Sequence, residues 1–233
     1  MAHYKNEKNV GLSVAVWLAM DSYDHNPDPM TISVTSVIKP IKQIILGTRA
    51  SSTPGMVEPE EISNLVASRM GTAFHDSIEH SWVGNYKQSL EALGYPKRVI
   101  DLVKVNPEKD EIDEDTIPIY LERRSSKQVG PYTISGKFDF VGDGRVEDFK
   151  STGTYTYQKG TNDHKYILQG SIYRWLNQDI VTQDIMAIQF IFTDWKAQQA
   201  LSDKSYPQNR VLEHKLQLMS VPDTERYLNS KVN

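Results

Sequence analysis

The sequence predicts an α/β fold in which a mixed central β-sheet is flanked by helices. Residues 59–82 place apolar side chains at every third or fourth position, as one face of a long helix does. Residues 117–152 alternate apolar and polar side chains in short segments rich in β-branched residues, which indicates half-buried strands. Residues 185–193 are almost continuously apolar, and this is typical of a strand covered on both faces.

The length and composition predict one folded domain, residues 1–233. The chain is 39% hydrophobic and 9% aromatic, enough for a core of the size that single domains reach. We expect residues 1–59 to form a helical and extended segment that packs on the core. Residues 60–195 would form the core itself, and residues 196–233 a C-terminal extension.

The absence of cysteine and the modest charge narrow the possible functions. With no cysteine, the chain has no disulfide, thiolate zinc site, cysteine nucleophile or cysteine-bound iron–sulfur cluster. The net charge of −4 does not predict general affinity for nucleic acid, so a basic groove would have to be local. The candidate contributors, which ordinary surface charge explains equally well, are Arg123, Arg124, Lys127, Lys159, Lys165 and Arg174.

The most apolar run, residues 10–20, predicts a buried helix. It is too short for a transmembrane helix, which needs roughly 20 residues. A signal-peptide core is disfavoured because Glu7 lies in the segment that should be basic, and no small-residue cleavage site precedes Asp21. We therefore expect a cytoplasmic protein without a membrane role.

The remaining elements follow in order along the chain. Residues 21–30 predict a loop because they contain two prolines, and residues 31–46 change from β-branched to helix-like and should pack on the core. The long helix begins at a Pro-Glu-Glu start at residues 59–61, and a second helix ends at Gly94. Then come strands at 117–124, 130–141 and 146–152, a helix at 163–178 capped by Asp163, and the strand at 185–193.

Polar side chains converge on the hairpin predicted at residues 138–150. Because alternate side chains of a strand share a face, antiparallel pairing would bring Asp139 towards Asp148 and Lys150. Two close carboxylates repel each other unless a cation lies between them, and a hard divalent ion suits oxygen ligands. Such a site fits phosphoryl chemistry, with the lysine stabilising negative charge. The alternative is a charged hairpin with one surface salt bridge.

Two helices carry further candidates. His75 and Glu79 lie four residues apart and share a helical face, and imidazole binds Mn²⁺ and is tolerated beside Mg²⁺. Gln169 and Tyr173 form a second such pair, beside Lys165, that could hold a substrate phosphate. Considered alone, a helix histidine is more often an ordinary surface or core residue, and a glutamine–tyrosine pair more often serves helix packing.

Together these segments resemble the PD-(D/E)XK nuclease superfamily, in particular its RecB-like exonuclease branch. "GTAFHDSIE" is similar to that branch's histidine motif, "GKFDFV" and "VEDFKST" to its Asp and Asp-x-Lys strands, and "LQGSIY" to its Gln-x-x-x-Tyr helix. The motifs occur in the family's order between residues 69 and 176. The resemblance implies a restriction-endonuclease-like core with the element order α-βββ-α-β.

The resemblance also implies roles for individual residues. Mg²⁺ or Mn²⁺ would be held by His75, Asp139, Asp148 and the backbone carbonyl of Phe149, with Glu79 as a further candidate. Lys150 would be the catalytic lysine, acting with Asp139 and Asp148. Substrate DNA would be bound by Gln169, Tyr173 and Lys165.

The implied function is that of a metal-dependent DNA exonuclease in recombination, replication or repair, of the stand-alone phage type and active in the host cytoplasm. The chain has no G-x-x-x-x-G-K-[ST] loop to power unwinding, so free ends or single strands would be its substrate. A helicase or a single-strand-binding or annealing protein would be its partner.

Three other functions remain open. One is a structure-selective endonuclease on the same site, the second is a non-catalytic nucleic-acid-binding module, and the third is an enzyme for a small phosphorylated molecule. A nucleic-acid substrate is favoured over a small molecule by aromatic residues near the motifs that could stack on bases. These are Tyr155, Tyr157, Trp175 and Trp195.

Overall fold

A computed structural model of the chain describes residues 4–20, 28–52 and 58–232. Most of the loop predicted at residues 21–30 lies outside the described residues. Among the described residues, no helix is both long enough and apolar enough to cross a membrane.

The first described residues form short elements. They are β1 (Tyr4–Lys5), α1 (Leu12–Ala19), β2 (Thr31–Ser33), α2 (Val34–Val37), α3 (Ile41–Ser52) and β3 (Glu60–Glu61). Helix α1 forms where the apolar run predicts it, but the expectation that it is buried is wrong. Only Leu18 is buried, whereas Leu12 is 81% exposed and Val16 63% exposed. A helix that is apolar on all sides cannot pack all of them against one neighbouring surface.

The long helix α4 spans Val66–Ala92 and follows a 3₁₀ turn at Ile62–Leu65. It begins later than predicted because Glu60 and Glu61 pair in parallel with β1 instead of opening the helix. The two helices predicted here are one helix with a kink at Asn85, whose φ of −138° is not helical. Gly94 follows the helix with φ +84°, the left-handed conformation that commonly ends a helix.

The rest of the chain alternates strands and helices. In order these are α5 (Lys97–Leu102), β4 (Val103–Val105), β5 (Ile117–Leu121), β6 (Arg124–Val129), β7 (Tyr132–Lys137), β8 (Phe140–Gly142), β9 (Arg145–Thr152), α6 (Thr154–Lys159), α7 (Asp163–Leu176), β10 (Ile185–Phe192), α8 (Ala197–Ser202), β11 (Val211–Gln217) and α9 (Val221–Val232). Helix α7 is preceded by Asn162 at its N-cap position, so the cap predicted at Asp163 is wrong by one residue.

The described strands form a mixed six-stranded sheet in the order β11-β10-β9-β8-β5-β4. Strand β9 is antiparallel to β8 and parallel to β10, and β5 is antiparallel to β8 and parallel to β4. A smaller sheet has the order β2-β7-β6. The predicted α/β class, with a mixed sheet flanked by helices, is confirmed.

One predicted strand, residues 130–141, is two strands that belong to different sheets. Strand β7 pairs with β6 and β2, whereas β8 pairs with β5 and β9. The chain passes from one sheet to the other at Phe138 and Asp139, and Phe138 is buried in the core. The preceding strand, predicted to reach residue 124, ends at Leu121, and Glu122 adopts φ +49°. The alternation of apolar and polar side chains continues through both strand breaks, at residue 122 and at residues 138–139. The sequence pattern therefore did not reveal where these strands end.

Helices cover both faces of the six-stranded sheet. On one face, the larger core includes Phe138, Ile188, Phe190, Trp175 of α7 and Leu228 of α9. On the other face, Trp82, Tyr86 and Leu90 of α4 pack on a smaller cluster formed by Val103, Ile119, Leu121 and Phe140. Full burial of each large apolar side chain is worth about 1.5–3 kcal/mol. These two clusters fix α4 and α7 on opposite sides of β9.

The hairpin that joins β8 to β9 has a two-residue turn, Asp143-Gly144. Both residues have positive φ, +48° and +74°, as the two central residues of a type I′ hairpin turn do. Gly142 pairs with Arg145, Val141 with Val146 and Phe140 with Glu147. Continued by one residue, this register sets Asp139 beside Asp148, as the alternation predicted.

Candidate metal centre and substrate cleft

A cleft of about 390 Å³ opens where α2, α4 and α7 meet the junction between the two sheets. Its wall combines acidic, basic and amide side chains within a small volume. Among the residues that line it are His75, Asp76, Glu122, Asp139, Asp148, Arg69, Arg124, Lys137, Lys150, Gln169 and Tyr173. The lining includes four acidic residues and four lysine or arginine residues, so the cleft brings both signs of charge together.

His75 of α4 reaches over the sheet to the start of the hairpin. Its Nε2 atom donates to the carbonyl oxygen of Phe149 at 3.1 Å, and its Nδ1 atom lies 3.4 Å from Oδ2 of Asp139. The backbone N–H of Phe149 donates to the same Asp139 oxygen at 3.2 Å. The hydrogen bond to Asp139 raises the pKa of His75 above its ordinary value, against the opposing effect of burial.

Three side chains could hold a metal ion together: His75, Glu122 and Asp139. Each offers one ligand atom, and these atoms lie within 4.8 Å of one another. Glu122 was not predicted. It follows β5, and the pairing of Leu121 with Phe140 sets it beside Asp139, whose carbonyl accepts from the Glu122 N–H at 3.2 Å. Pairing β5 with β8 from the sequence would have found it, because the predicted hairpin considers only β8 and β9.

The chemistry of this donor set fits a hard divalent ion. Two carboxylates and one imidazole are ligands that suit Mg²⁺ or Mn²⁺. Both nitrogens of the His75 ring face oxygen acceptors, an arrangement that favours the protonated, positively charged ring. A divalent ion can replace that positive charge once His75 has lost its proton.

Asp148 and Lys150 form the second half of the site. Asp148 is only 2% exposed, and its Oδ2 atom lies 2.5 Å from Nζ of Lys150. Burial raises the pKa of Asp148, while Lys150 acts to lower it. Burial also acts to lower the pKa of Lys150, but the adjacent Asp148 outweighs it and the pKa is raised. Lys150 is therefore an ammonium ion at neutral pH.

The hydrogen bonding of Asp148 is incomplete. Oδ1 accepts from Nε2 of Gln169 at 2.9 Å, but Oδ2 has no donor in hydrogen-bonding geometry, its contact being the ion pair with Lys150. The charge on this buried oxygen is therefore compensated by Lys150. Asp148 lies outside the group of three possible ligands, so the structure places this predicted ligand beside Lys150 and Gln169.

Gly136 of β7 allows α7 to approach the sheet closely. A Cβ atom at this position would lie 2.5 Å from Cγ2 of Val34 and 2.9 Å from Cε1 of Tyr173. Tyr173 therefore packs directly on the strand, where its hydroxyl accepts from Nε2 of Gln169 at 3.1 Å. The predicted pair of Gln169 and Tyr173 thus lies in the cleft with Asp148.

Two other predicted residues lie at the margin of the site. Glu79 is half-buried on α4, outside the group of three. Burial is the main cause that raises the pKa of Glu122, and the charge of Glu79 adds to it. Lys165 is exposed on α7 and does not line the cleft. Tyr166, one turn before Gln169, was not predicted; burial raises the pKa of its hydroxyl, which nearby Lys150 acts to lower and Asp148 to raise.

The aromatic residues proposed for base stacking mostly serve the core. Trp175 is buried, and Tyr157 packs on Phe190 with ring centroids 5.5 Å apart, so the stacking expected of these two is wrong. Trp195 packs against the core and donates to the carbonyl of Pro207 at 2.8 Å. Tyr155 is 67% exposed. The rings of Trp175, Tyr157 and Trp195 pack against apolar neighbours. Their proximity to the motifs in the sequence does not reveal this packing.

Comparison with known proteins extends the description of the fold. No family model matches the chain, and no curated protein matches it. A solved structure named SSO0001 is similar, with a TM-score of 0.52 and 16% sequence identity. The similarity covers 89% of this chain and 77% of that one. At this identity it shows the fold alone.

Proposed function

We propose that the protein is a metal-dependent deoxyribonuclease of the PD-(D/E)XK type that hydrolyses phosphodiester bonds from DNA ends. One observation carries the proposal. The ion pair of Asp148 and Lys150 shares a cleft with the group formed by His75, Glu122 and Asp139. Ligands for a hard cation and a lysine beside them are what phosphoryl transfer needs.

The order of the elements supports a restriction-endonuclease-like core. Helix α4 precedes the antiparallel strands β5, β8 and β9, and α7 then leads to β10, which is parallel to β9. These elements support the α-βββ-α-β order expected from the resemblance, if α5, β4, β6, β7 and α6 are taken as additions to it. The candidate residues lie on α4, β9 and α7, immediately after β5 (Glu122) and immediately before β8 (Asp139).

His75, Glu122 and Asp139 would hold Mg²⁺ or Mn²⁺ beside the carbonyl oxygen of Phe149. When bound, such an ion polarises a phosphate and lowers the pKa of water. Glu122 and Asp139 contribute negative charge that holds the ion. The imidazole adds selectivity for ions that accept nitrogen.

Lys150 would stabilise the negative charge that develops on the phosphate during hydrolysis. Its ammonium is held at a fixed position by Asp148, which is itself held by Gln169. Because the groups are oriented before the reaction begins, little reorganisation is needed as charge develops. Gln169 and Tyr173 would position the DNA strand, and Arg69, Arg124 and Lys137 line the cleft to balance its phosphates.

The proposal is tested with end-labelled linear and circular DNA, single- and double-stranded, incubated with Mg²⁺, Mn²⁺ or EDTA. The expected result is metal-dependent loss of linear DNA that Lys150→Ala abolishes, and the label gives the polarity of digestion. Cleavage in EDTA, or full activity of Lys150→Ala, would contradict the assigned site.

Other outcomes identify the alternative functions. Cleavage of circular single strands would indicate an endonuclease on the same site. Inhibition by mononucleotides as strong as that by an oligonucleotide would indicate a small phosphorylated substrate. DNA binding without cleavage under either metal would indicate a non-catalytic module. If only single strands or opened ends are cut, a helicase or single-strand-binding protein is the partner that the reaction requires.

A further inference from the structure

Lys137 and Glu122 form an ion pair on the wall of the cleft. The Lys137 side chain is 39% exposed and that of Glu122 is 17% exposed, so the ammonium lies on the open side and the carboxylate on the covered side. Lys137 ends β7, where the chain passes between the sheets, one residue before Phe138 and two before Asp139. The pair thus stands at the mouth of the candidate metal centre.

Glu122 has two possible cationic partners, Lys137 and a metal ion. It pairs with Lys137 and also belongs to the group of three side chains that could hold a metal ion. A divalent ion at that group would neutralise the Glu122 carboxylate and repel the ammonium of Lys137 across a short distance. The attraction that holds Lys137 to Glu122 would then weaken.

We propose that Lys137 is a phosphate-binding residue that Glu122 restrains until a divalent ion binds. The released ammonium faces the open cleft, where the DNA phosphates supply the negative charge that Glu122 no longer offers. Lys150, the other lysine among the described residues that line the cleft, is paired with buried Asp148 and does not compete for Glu122. The inference rests on the proposed nuclease function and adds a coupling between metal and DNA.

The coupling between metal binding and DNA binding must be reciprocal at equilibrium. If the ion strengthens DNA binding through Lys137, then DNA strengthens binding of the ion by the same factor. Replacing Lys137 by glutamine removes the competing cation, so the ion should bind more tightly in the absence of DNA. Replacing Glu122 by glutamine removes a ligand, so the ion should bind more weakly.

The test measures binding of a labelled single-stranded oligonucleotide over a range of salt concentrations, in Mg²⁺ and in EDTA. All proteins carry Lys150→Ala so that the oligonucleotide stays intact. In Mg²⁺, Lys137→Gln should weaken binding about tenfold and lower the salt dependence by about one phosphate contact. In EDTA, the protein with Lys137→Gln and the protein without it should bind the oligonucleotide equally well.

Lys215→Gln is the matched control. Lys215 of β11 also pairs with a carboxylate, that of Glu213 at 3.2 Å, but it does not line the cleft. Like Lys137→Gln, the Lys215→Gln substitution removes one charge and one ion pair. It should leave the salt dependence of oligonucleotide binding unchanged in Mg²⁺ and in EDTA. An equal effect of Lys137→Gln and Lys215→Gln would overturn the role of Lys137.

Calorimetry with Mg²⁺ alone provides the second measurement. Lys137→Gln should raise the affinity for Mg²⁺ severalfold, and Glu122→Gln should lower it at least tenfold. If DNA binds but Lys137→Gln has the same effect with Mg²⁺ as with EDTA, the metal-dependent release is wrong and the nuclease proposal stands. If no protein binds DNA in either condition, both proposals are wrong.

Discussion

The side-chain amide of Gln169 donates both to buried Asp148, at 2.9 Å, and to the hydroxyl of Tyr173, at 3.1 Å. It thereby joins helix α7 to strand β9 at the carboxylate that pairs with Lys150. Because Asp148 is nearly inaccessible to water, this amide cannot be replaced by solvent at little cost. The orientation of the whole ion pair therefore depends on a helix residue.

Gln169→Leu should destabilise the protein and slow cleavage. Loss of the donor leaves a buried carboxylate oxygen without a hydrogen bond, which costs about 1–3 kcal/mol. Urea unfolding and the cleavage rate measure the two effects. Tyr173→Phe keeps the bond between Gln169 and Asp148 and is the control for the unfolding measurement, with a loss of stability under about 1 kcal/mol. Equal stability of Gln169→Leu and the parent protein would contradict this role.

Lys150→Ala should fold but lose at least about two orders of magnitude in cleavage rate, as removal of one electrostatic stabiliser usually does. It should also change the dependence of stability on pH. The raised pKa of Asp148 means that its favourable contribution is complete below the ordinary value of 3.8 and is lost as pH rises through the folded-state value. Without Lys150, the stability lost as pH rises should be larger, and the loss should extend to higher pH.

Urea unfolding between pH 4 and pH 9 measures this change, with Lys215→Ala as a control that removes an exposed lysine outside the cleft. A parallel pH dependence in Lys150→Ala and the parent protein would show that the lysine does not stabilise ionised Asp148.

Binding of Mg²⁺ or Mn²⁺ should weaken as pH falls, because the ion must displace the proton of His75. Asp139 raises the pKa of His75 above 6.5. The protonated ring therefore contributes stability below pH 6.5, and this contribution is lost as pH rises through the folded-state pKa. Calorimetry at pH 6 and pH 8, in buffers of different ionisation enthalpy, counts the protons released. His75→Gln should bind the ion more weakly and release no proton near neutral pH.

The sequence predicted the hairpin of the candidate site well because the relevant information is local. Apolar alternation and the turn residues fix the register that sets Asp139 beside Asp148. Helical spacing likewise put Gln169 and Tyr173 on one face. Glu122 was missed because it joins the site through the pairing of β5 with β8, between which β6 and β7 intervene. Nothing in its local pattern distinguishes it from any glutamate at the end of a strand.

The exposure of α1 and the burial of Trp175 were missed for a related reason. Hydrophobicity indicates which side chains favour burial, but the neighbouring elements decide which of them find a partner. Helix α1 packs near the 3₁₀ turn at Ile62–Leu65 and leaves Leu12 and Val16 outside. Trp175 lies on the inner face of α7. Predicting either requires the positions of elements that are distant in the sequence.

Gly136→Ala should destabilise the protein because the added Cβ would press on Val34 and the Tyr173 ring at less than van der Waals distance. Overpacking of this kind costs about 1–3 kcal/mol. Gly84→Ala is the matched substitution inside α4, where nothing lies within 4 Å of the new atom, and it should stabilise by about 0.5–1 kcal/mol. Thermal unfolding of both variants measures the difference. Similar effects of the two substitutions would show that α7 can move away from β7.

The parallel pairing of β9 with β10 sets an order for folding. The hairpin of β8 and β9 closes across two residues and can form in microseconds, whereas β10 reaches β9 only after α6 and α7 have been placed. We therefore expect Asp148 to leave water late, when the rest of the sheet docks. We expect substitutions at Asp143 or Gly144 to slow folding, and substitutions at Asp148 or Gln169 to speed unfolding instead.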